Sequence, residues 1–339
     1  MALKSDPPDI QPHDAERFAL ELYGLRGRFE SLAGERDRNF LFHTDEGSKL
    51  ILKFSHPAED PAVLDFQCRA LAHIAARGPE LPVPRIYPTL KGDSFQTVAP
   101  DGFEPVILHA QTCVDGVPVP EEQLSHARLR QVGMLAAQLD LALQGFEHPA
   151  ARHELAWDMV SAGQLLPASG SIENPEARTL VEHVLHHFVT VVVPRFSTMR
   201  QQVVHADLHF GNLHTGSGED APISGIVDFG DMLKAPLVVE VSTALAEVAA
   251  SLDKPLPAMA QLLAGYESIL PLETAEYAVL KSCIMTRLAI TYVIFSWRLA
   301  NQGMLSPAYD GFEENYSKAL ITLNSLGPEQ FLAALQTGS

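Results

Sequence analysis

Cysteine is scarce in this chain, since only Cys68, Cys113 and Cys283 occur in 339 residues. Their number is odd and their spacing shows no pairs, which argues against a disulfide framework and against a zinc site built from cysteines. Basic residues are also few: 24 Lys and Arg face 42 Asp and Glu, for a formal net charge of −18. Nucleic acid is therefore not expected as a partner, because its phosphate backbone binds surfaces rich in Lys and Arg.

Long hydrophobic runs are missing as well. The first 25 residues contain no apolar signal core. The most apolar segment, "RLAITYVIFSWRLA", is bracketed by Arg287 and Arg298, so we expect no run long enough to span a bilayer. These absences predict a cytoplasmic enzyme without a membrane partner.

The length of the chain indicates two lobes, because a single core stops growing near this size. Residues 25–115 alternate as strands and contain one helix over 60–78, with Asp60 as N-cap and Gly78 as its end. Helical periodicity dominates the rest, over 121–145, over 174–201 and from about 237 to 335, and a short helix is expected over 14–23. The predicted fold is α+β and bilobal. A small, mainly β lobe with one helix spans 1–113, and a larger, mainly α lobe spans 114–339.

One window, residues 203–232, concentrates the ionisable side chains. His205, Asp207 and His209 alternate, so a strand would place all three on one face, where they could hold a metal ion. The helical His-Glu-x-x-His spacing of metallohydrolases is absent, and Phe210-Gly211 indicates a loop. A histidine metal site therefore stays a minor alternative, and His205 fits better as a scaffold of the loop.

The same window matches the kinase pattern H-x-D-x-x-x-x-N followed by D-F-G, in which His205, Asp207 and Asn212 precede Asp228. A carboxylate at Asp207 can orient a hydroxyl and accept its proton. Oxygens of Asn212 and Asp228 are ligands that suit Mg²⁺ beside phosphates. Each half of the pattern is weak alone, but both together predict phosphoryl transfer.

A kinase also needs a lysine that contacts the phosphates. Lys53 in "KLILKF" is the better candidate, since Lys49 lies at the turn. The acidic partner of such a lysine is expected on the following helix, where Gln67 stands instead. Lys53 could therefore lack an ion pair or form a hydrogen bond with Gln67. An edge-strand lysine without a function is the alternative.

These residues resemble the aminoglycoside phosphotransferase and choline kinase superfamily, which consists of small-molecule relatives of the protein kinases. "HADLHFGN" with "VDFGD" carries the resemblance, and "LDFQCRALAHIA" and "LPVPRIYPTLKG" are similar to its hydroxylysine-kinase-like branch, near the homoserine kinases. The resemblance implies a protein-kinase-like fold, with ATP or GTP and Mg²⁺ as cofactors. It also implies a catalytic base at Asp207, Mg²⁺ ligands at Asn212 and Asp228, and a phosphate contact by Lys53. A G-x-G-x-x-G loop is missing, so backbone groups between Gly34 and Asn39 would cover the phosphates, and adenine would be held around Gln111, Cys113 and Val114.

The acceptor is expected to be small, because few residues separate Asp231 from the next helix and no Ala-Pro-Glu signature follows. Asp231 could bind a cationic amine or cap that helix. Either Arg287 or Arg298 of the apolar C-terminal helix could reach a substrate carboxylate, with Arg287 taken as the candidate, although a structural ion pair is the commoner role. Hydroxylysine-like compounds are favoured, and homoserine, choline-type or aminoglycoside acceptors are the alternatives. A non-catalytic nucleotide-binding protein of the same fold is the rival, and the sequence indicates neither an oligomeric state nor a role for His209.

Overall fold

The computed structural model describes residues 7–32, 34, 36–120, 123–218, 221–303 and 310–336. Contacts divide the described residues into two compact units. The N-terminal unit runs to Asp115 and includes His148–Ala150. The C-terminal unit contains Gly116–Glu147 and the residues from Ala151 onward. The assignment of a nucleotide-binding lobe to 1–113 and a substrate-binding lobe to 114–339 stays a prediction.

The N-terminal unit is an antiparallel sheet with two helices. Its helices are Pro12–Tyr23 (α1) and Pro61–Arg77 (α2). Its strands are Gly27–Leu32 (β1), Arg38–Thr44 (β2), Lys49–Phe54 (β3), Ile86–Tyr87 (β4), Phe95–Val98 (β5) and Val106–Thr112 (β6). The strand order is β1-β2-β3-β6-β4, and β5 also pairs with β6. The predicted small sheet interrupted by one helix is therefore confirmed.

Local sequence explains these elements. In β3 the side chains of Leu50, Leu52 and Phe54 are buried, and the residues between them lie on the other face, as period-two alternation requires. The Asp60 side chain accepts from the Ala62 N–H and caps α2, and the helix ends before Gly78 as predicted. The core of this unit gathers four phenylalanines from α1 and two neighbouring strands of the sheet, namely Phe18, Phe40, Phe42 and Phe54.

The C-terminal unit is mainly helical with short strands. Its helices are His126–Leu143 (α3), Pro175–His187 (α4), Val238–Ser251 (α5), Pro255–Glu267 (α6), Thr274–Gln302 (α7), Phe312–Asn324 (α8) and Pro328–Gln336 (α9). Its strands are Val117–Pro118 (β7), Gln201–Val204 (β8), Leu213–Thr215 (β9), Ile223–Ile226 (β10) and Leu233–Pro236 (β11). Strand β9 lies between β10 and β7, and β11 pairs with β8.

Two glycines let α3 and α6 pack backbone against backbone. A Cβ atom at Gly133 would lie 1.9 Å from the Leu262 carbonyl oxygen, and one at Gly265 would lie 2.0 Å from that of Arg130. Any side chain at either position would force the helices apart. This close approach brings Asp140 of α3 within a hydrogen bond of Tyr266 of α6.

The helix predicted over 174–201 is wrong in its second half. The α-helix ends at His187, and a π-helical stretch, Phe188–Val192, and a 3₁₀ stretch, Val193–Thr198, follow it. Pro194 explains the change, because proline removes an N–H donor and clashes with the preceding helical turn. The helix predicted over 121–145 is shorter, at His126–Leu143, with its start fixed by the Ser125 side chain that accepts from the Arg128 N–H.

Helix α7 corrects the expectation that no segment is long enough to span a bilayer. By length and composition alone this 29-residue helix could cross a membrane. However, 83% of its most apolar stretch is buried inside the protein, as in the core helix of a globular domain.

Candidate active site

The predicted catalytic aspartate lies in a strained loop after β8. Ala206 has φ 63°, a left-handed conformation that is rare for residues other than glycine. The Glu240 carboxylate of α5 holds this residue by accepting its N–H at 2.9 Å. Such backbone strain persists only where the surrounding structure enforces it, and it is common at active sites. The loop therefore fixes the direction in which Asp207 leaves the strand.

His205 stabilises this loop through both ring nitrogens. Its Nε2 donates to the Val227 carbonyl at 3.1 Å, and its Nδ1 accepts from the Asp207 N–H at 3.3 Å. The ring also packs edge-on against Phe229, with centroids 4.7 Å apart. The predicted scaffold role is confirmed, and the histidine metal alternative is wrong because His205 has no nitrogen left for an ion.

Asp207 is held by donors from the C-terminal unit. Its Oδ1 accepts from Arg287 Nη2 at 2.6 Å, and its Oδ2 accepts from Asn212 Nδ2 at 2.9 Å. His209 Nε2 lies 3.6 Å from Oδ2, and the side chain of Asp207 remains 14% exposed. The carboxylate is thus oriented yet accessible, as a group that receives a proton from a bound hydroxyl requires.

Asn212 presents the atom that a divalent cation prefers. Its Nδ2 also donates to the Asp207 carbonyl at 2.9 Å, so both amide contacts are made by the nitrogen and Oδ1 is left for a cation. The Val227 N–H donates to the Asn212 carbonyl at 2.9 Å, which places the residue before Asp228 beside Asn212. Amide and carboxylate oxygens from these two segments fit Mg²⁺.

Asp228 follows β10 in a second strained conformation, with φ 62° and ψ 72°. Its Oδ1 lies 3.4 Å from the Gly230 N–H. Asp231 ends the short 3₁₀ turn Phe229–Asp231, and β11 comes before α5. Leu237 is the residue that precedes α5, without a side-chain cap, so the alternative that Asp231 caps this helix is wrong.

Two buried acids behind the loop were not predicted. Glu240 is fully buried, and burial raises its pKa above the ordinary value, although the neighbouring His205 opposes this shift. Burial also raises the pKa of Asp140 well above its ordinary value, and the nearby Glu240 adds to the effect. Tyr266 donates to Asp140 Oδ2 at 2.6 Å. A single acidic residue within the apolar run "PLVVEVSTALA" was the sequence signal for Glu240.

Arg287 lies beside the predicted catalytic residue Asp207, although the two are 80 positions apart in the chain. Helix α7 carries it, and its side chain is only 9% exposed. Its guanidinium also lies over the ring of Trp157, 4.9 Å from the centroid, and Arg298 lies 5.7 Å from the same ring. Trp157 is half-buried, whereas Tyr292 of the same helix as Arg287 is buried.

In the N-terminal unit, Lys53 of β3 points away from the phenylalanine core. It pairs across the sheet with Asn39 and with His109, and its side chain is 17% exposed. Asp37 lies 3.7 Å from its Nζ, so the expectation that Lys53 could lack an ion pair is wrong, whereas the hydrogen bond with Gln67 of α2 stays a prediction. Burial lowers the pKa of His109 to about 3, and the charge of Lys53 contributes.

In the predicted phosphate-covering segment, Gly34 lies close to Asp37 and Asn39. A Cβ atom there would lie 2.1 Å from the Asp37 carbonyl oxygen and 2.8 Å from Asn39 Nδ2, so only glycine fits. Ala33 and Glu35, the residues on either side, lie outside the described residues. The close approach between Gly34 and Asp37 places this segment near the acidic partner of Lys53.

The predicted adenine-binding segment covers the end of β6 and the residues that follow it. Gln111 lies within the strand, paired with Ile51 and Ile86. The Cys113 N–H donates to the Lys49 carbonyl at 3.2 Å, whereas the Val114 N–H finds no acceptor in the part of the chain that the structure describes. The Val114 N–H is therefore a better candidate than that of Cys113 to donate a hydrogen bond to adenine.

Comparisons with known proteins agree with this geometry. Residues 29–278 match the sequence model of the phosphotransferase enzyme family. The chain is 26% identical to hydroxylysine kinase of Mus musculus over 316 residues, which cover 86% of the chain and 84% of that protein. Hydroxylysine kinase of Danio rerio is also 26% identical, with 89% and 88% covered.

Solved structures show the same fold. An amicoumacin kinase in complex with AMP-PNP and Ca²⁺ matches with a TM-score of 0.70 at 17% identity, over 92% of this chain and 93% of that one. A microcompartment-associated aminopropanol kinase matches with a TM-score of 0.63 at 20% identity, over 95% and 97%. The predicted α+β fold of protein-kinase-like type and the resemblance to the aminoglycoside phosphotransferase superfamily are therefore confirmed.

Proposed function

Because the chain belongs to the phosphotransferase enzyme family and is a small-molecule kinase, we propose that Asp207 serves the transfer of a phosphoryl group from ATP to a hydroxyl of a small amine or amino acid. A hydroxylysine-like acceptor leads, since the curated relatives carry that name. The single observation that supports the reaction most is the Asp207 carboxylate, which is oriented by Asn212 and Arg287 and still partly exposed.

In the proposed reaction the acceptor oxygen attacks the γ-phosphorus, and the bond from that phosphorus to the bridging oxygen of ADP breaks. The hydroxyl proton passes to Asp207. Asn212 Oδ1 and the Asp228 carboxylate would hold Mg²⁺, which supplies neutralisation of phosphate charge when it is bound. Asp231, three positions after Asp228, is the candidate for an acceptor ammonium group.

Nucleotide binding is proposed for the N-terminal unit. Lys53 would contact the phosphates, the segment from Gly34 to Asn39 would cover them, and Val114 would donate to adenine, with Cys113 and Gln111 beside it. The AMP-PNP bound to the amicoumacin kinase supports ATP rather than GTP as the donor. A cytoplasmic location fits an enzyme whose single long apolar helix, within the described residues, is buried.

The test is ADP release by the purified protein with ATP, Mg²⁺ and a panel of hydroxylysine, homoserine, choline and an aminoglycoside. We expect the highest kcat/KM for hydroxylysine. Asp207→Asn should lower kcat by roughly 100- to 10,000-fold, the usual contribution of a general base, while binding of a non-hydrolysable ATP analogue is kept. Asp253→Asn is the matched control, since this carboxylate is 90% exposed and pairs with Lys318 far along the chain from the loop.

Two results would contradict the proposal. Full activity of Asp207→Asn would remove the assigned base. Tight nucleotide binding without transfer to any hydroxylated amine would favour the non-catalytic nucleotide-binding protein instead.

A further inference from the structure

Arg287 has a fixed position and an unused donor. Only 9% of its side chain is exposed, and its Nη2 donates to Asp207 Oδ1 at 2.6 Å. Its Nη1 is buried and has no hydrogen-bond partner within the described residues. Guanidinium groups frequently bind carboxylates through two parallel N–H···O bonds, whereas Nη2 makes one such bond here and Nη1 makes none. A buried donor without an acceptor costs free energy, so an acceptor oxygen that reaches Nη1 would bind favourably.

The contact with Arg287 leaves Asp207 able to bind an acceptor. Each carboxylate oxygen can accept more than one hydrogen bond, so Oδ1 and Oδ2, which accept from Arg287 and Asn212, can also accept from an acceptor hydroxyl. An acceptor with its own carboxylate offers Arg287 Nη1 an anionic oxygen in addition. A neutral or purely cationic acceptor offers Nη1 no such group.

We propose that Arg287 recognises a carboxylate of the acceptor, so that the enzyme selects hydroxylated amino acids over amino alcohols and aminoglycosides. This inference rests on the proposed function, since it takes Asp207 as the base. Because Nη2 and Asp207 Oδ1 are 2.6 Å apart, an acceptor whose hydroxyl and carboxylate are separated by a few carbon atoms can touch both groups. The ring of Trp157 under the guanidinium helps to hold Arg287 in place beside Asp207 and the acceptor carboxylate.

A matched control stands on the same helix. Arg298 also lies over Trp157, at 5.7 Å from the centroid, and its side chain is half-buried. Arg298→Gln therefore removes the same functional group next to the same aromatic ring without removing the contact to Asp207.

The experiment compares 5-hydroxylysine with its decarboxylated counterpart, 1,5-diaminopentan-2-ol, as acceptors. The two share the reacting hydroxyl and both amines and differ only in the carboxylate. For the wild-type enzyme we expect kcat/KM to be about 10- to 100-fold higher for hydroxylysine, the range of one charge-assisted interaction. Arg287→Gln should abolish this preference, because kcat/KM should fall about 10- to 100-fold further with hydroxylysine than with the diamine. Arg298→Gln should keep the preference.

Each other outcome contradicts the inference. Equal use of both acceptors by the wild-type enzyme would overturn it while leaving the proposed function intact. Equal loss with both acceptors in Arg287→Gln would show a purely structural arginine, and loss of the preference in Arg298→Gln would move the role to that residue. Transfer to no hydroxylated amine at all would remove the proposed function as well. If Arg287→Gln does not fold, Arg287→Lys, which keeps the charge but not the two-pronged donor, should give an intermediate preference.

Discussion

Asp207 in the C-terminal unit accepts hydrogen bonds from side chains of two separate elements, at 2.6 and 2.9 Å, whereas Lys53 in the N-terminal unit meets its acidic partner at 3.7 Å. Both groups are charged, partly exposed and assigned to the same reaction. They differ in the lengths of these contacts. The carboxylate accepts two hydrogen bonds, whereas the distance between the ammonium and Asp37 is longer than a hydrogen bond.

The surroundings of the two groups differ in the same sense. Glu240 and Asp140, two acids whose pKa is raised by burial, lie behind the loop of Asp207. Beside Lys53 lies His109, a base whose pKa is lowered by burial. In each unit burial favours the neutral form of a group near the predicted site residue, so fewer buried charges lie close to Asp207 and Lys53.

Replacement of Asp228 by Asn should lower the rate more than replacement of Lys53, because it removes the carboxylate oxygen proposed for Mg²⁺. We expect kcat to fall by at least about 100-fold, since a metal ion supplies several kcal/mol of charge stabilisation. The measurement is the rate as a function of Mg²⁺ concentration. The midpoint of that titration should move to higher concentration, and an unchanged midpoint would exclude Asp228 as a ligand.

The lysine gives the next largest effect. Lys53→Met should raise KM for ATP by roughly 10- to 100-fold, the value of one charge-assisted hydrogen bond, with a smaller change in the thermal stability of the protein. Asp37→Asn should change KM by less than about fivefold, since a long and partly exposed ion pair contributes little. Lys49→Met at the exposed end of the same strand is the control. An effect of Asp37→Asn as large as that of Lys53→Met would show that the lysine is oriented as firmly as Asp207.

The same contrast explains how much of the site could be predicted from the sequence. His205, Asp207, Asn212 and Asp228 occupy one short window, so their spacing alone indicated a kinase. Arg287 was reached only as one of two candidates on an apolar helix, because its contact with Asp207 depends on how α7 packs.

Glu240 and Asp37 show what sequence patterns leave out. Glu240 accepts from the backbone of a loop 34 positions earlier, and such a contact has no periodic signature. Asp37 partners Lys53 because it directly precedes β2, the strand that pairs with β3, whereas the acidic partner was expected on the helix with Gln67. Alternation, caps and helix ends were predicted since they depend on neighbouring residues, whereas the π-helical stretch after His187 depends on how α4 responds to Pro194.

Buried Asp140 predicts a loss of stability as the pH rises above 3.8, the ordinary pKa of its carboxyl group. Burial raises the pKa of Asp140, so its contribution to stability is complete below the ordinary pKa of 3.8 and is lost as pH rises toward the folded-state pKa. Between these two pKa values Asp140 is ionised only in the unfolded state, so the free energy of unfolding falls by about 1.4 kcal/mol per pH unit. Asp140→Asn keeps an oxygen for the Tyr266 hydroxyl and should flatten the fall of the unfolding free energy as pH rises above that ordinary value. Urea titrations of both proteins measure it, and parallel curves would mean that Asp140 is already ionised in the fold.

The buried histidine predicts a smaller effect of opposite sign in the N-terminal unit. His109 has a pKa of about 3 in the folded state, because burial and then the charge of Lys53 disfavour its protonated form, against an ordinary value of 6.5. Its contribution is present above pH 6.5 and is lost as pH falls toward 3, since the unfolded state binds the proton first. Between about pH 7 and 5 this amounts to about 2 kcal/mol. His109→Gln should lose less stability than the wild-type protein over that interval, and His126→Gln, at an exposed helix start, should match the wild type. If His109→Gln follows the wild-type curve, the His109 imidazole is protonated in the folded protein over that interval. Lys53 would then lie beside a second positive charge rather than a neutral ring.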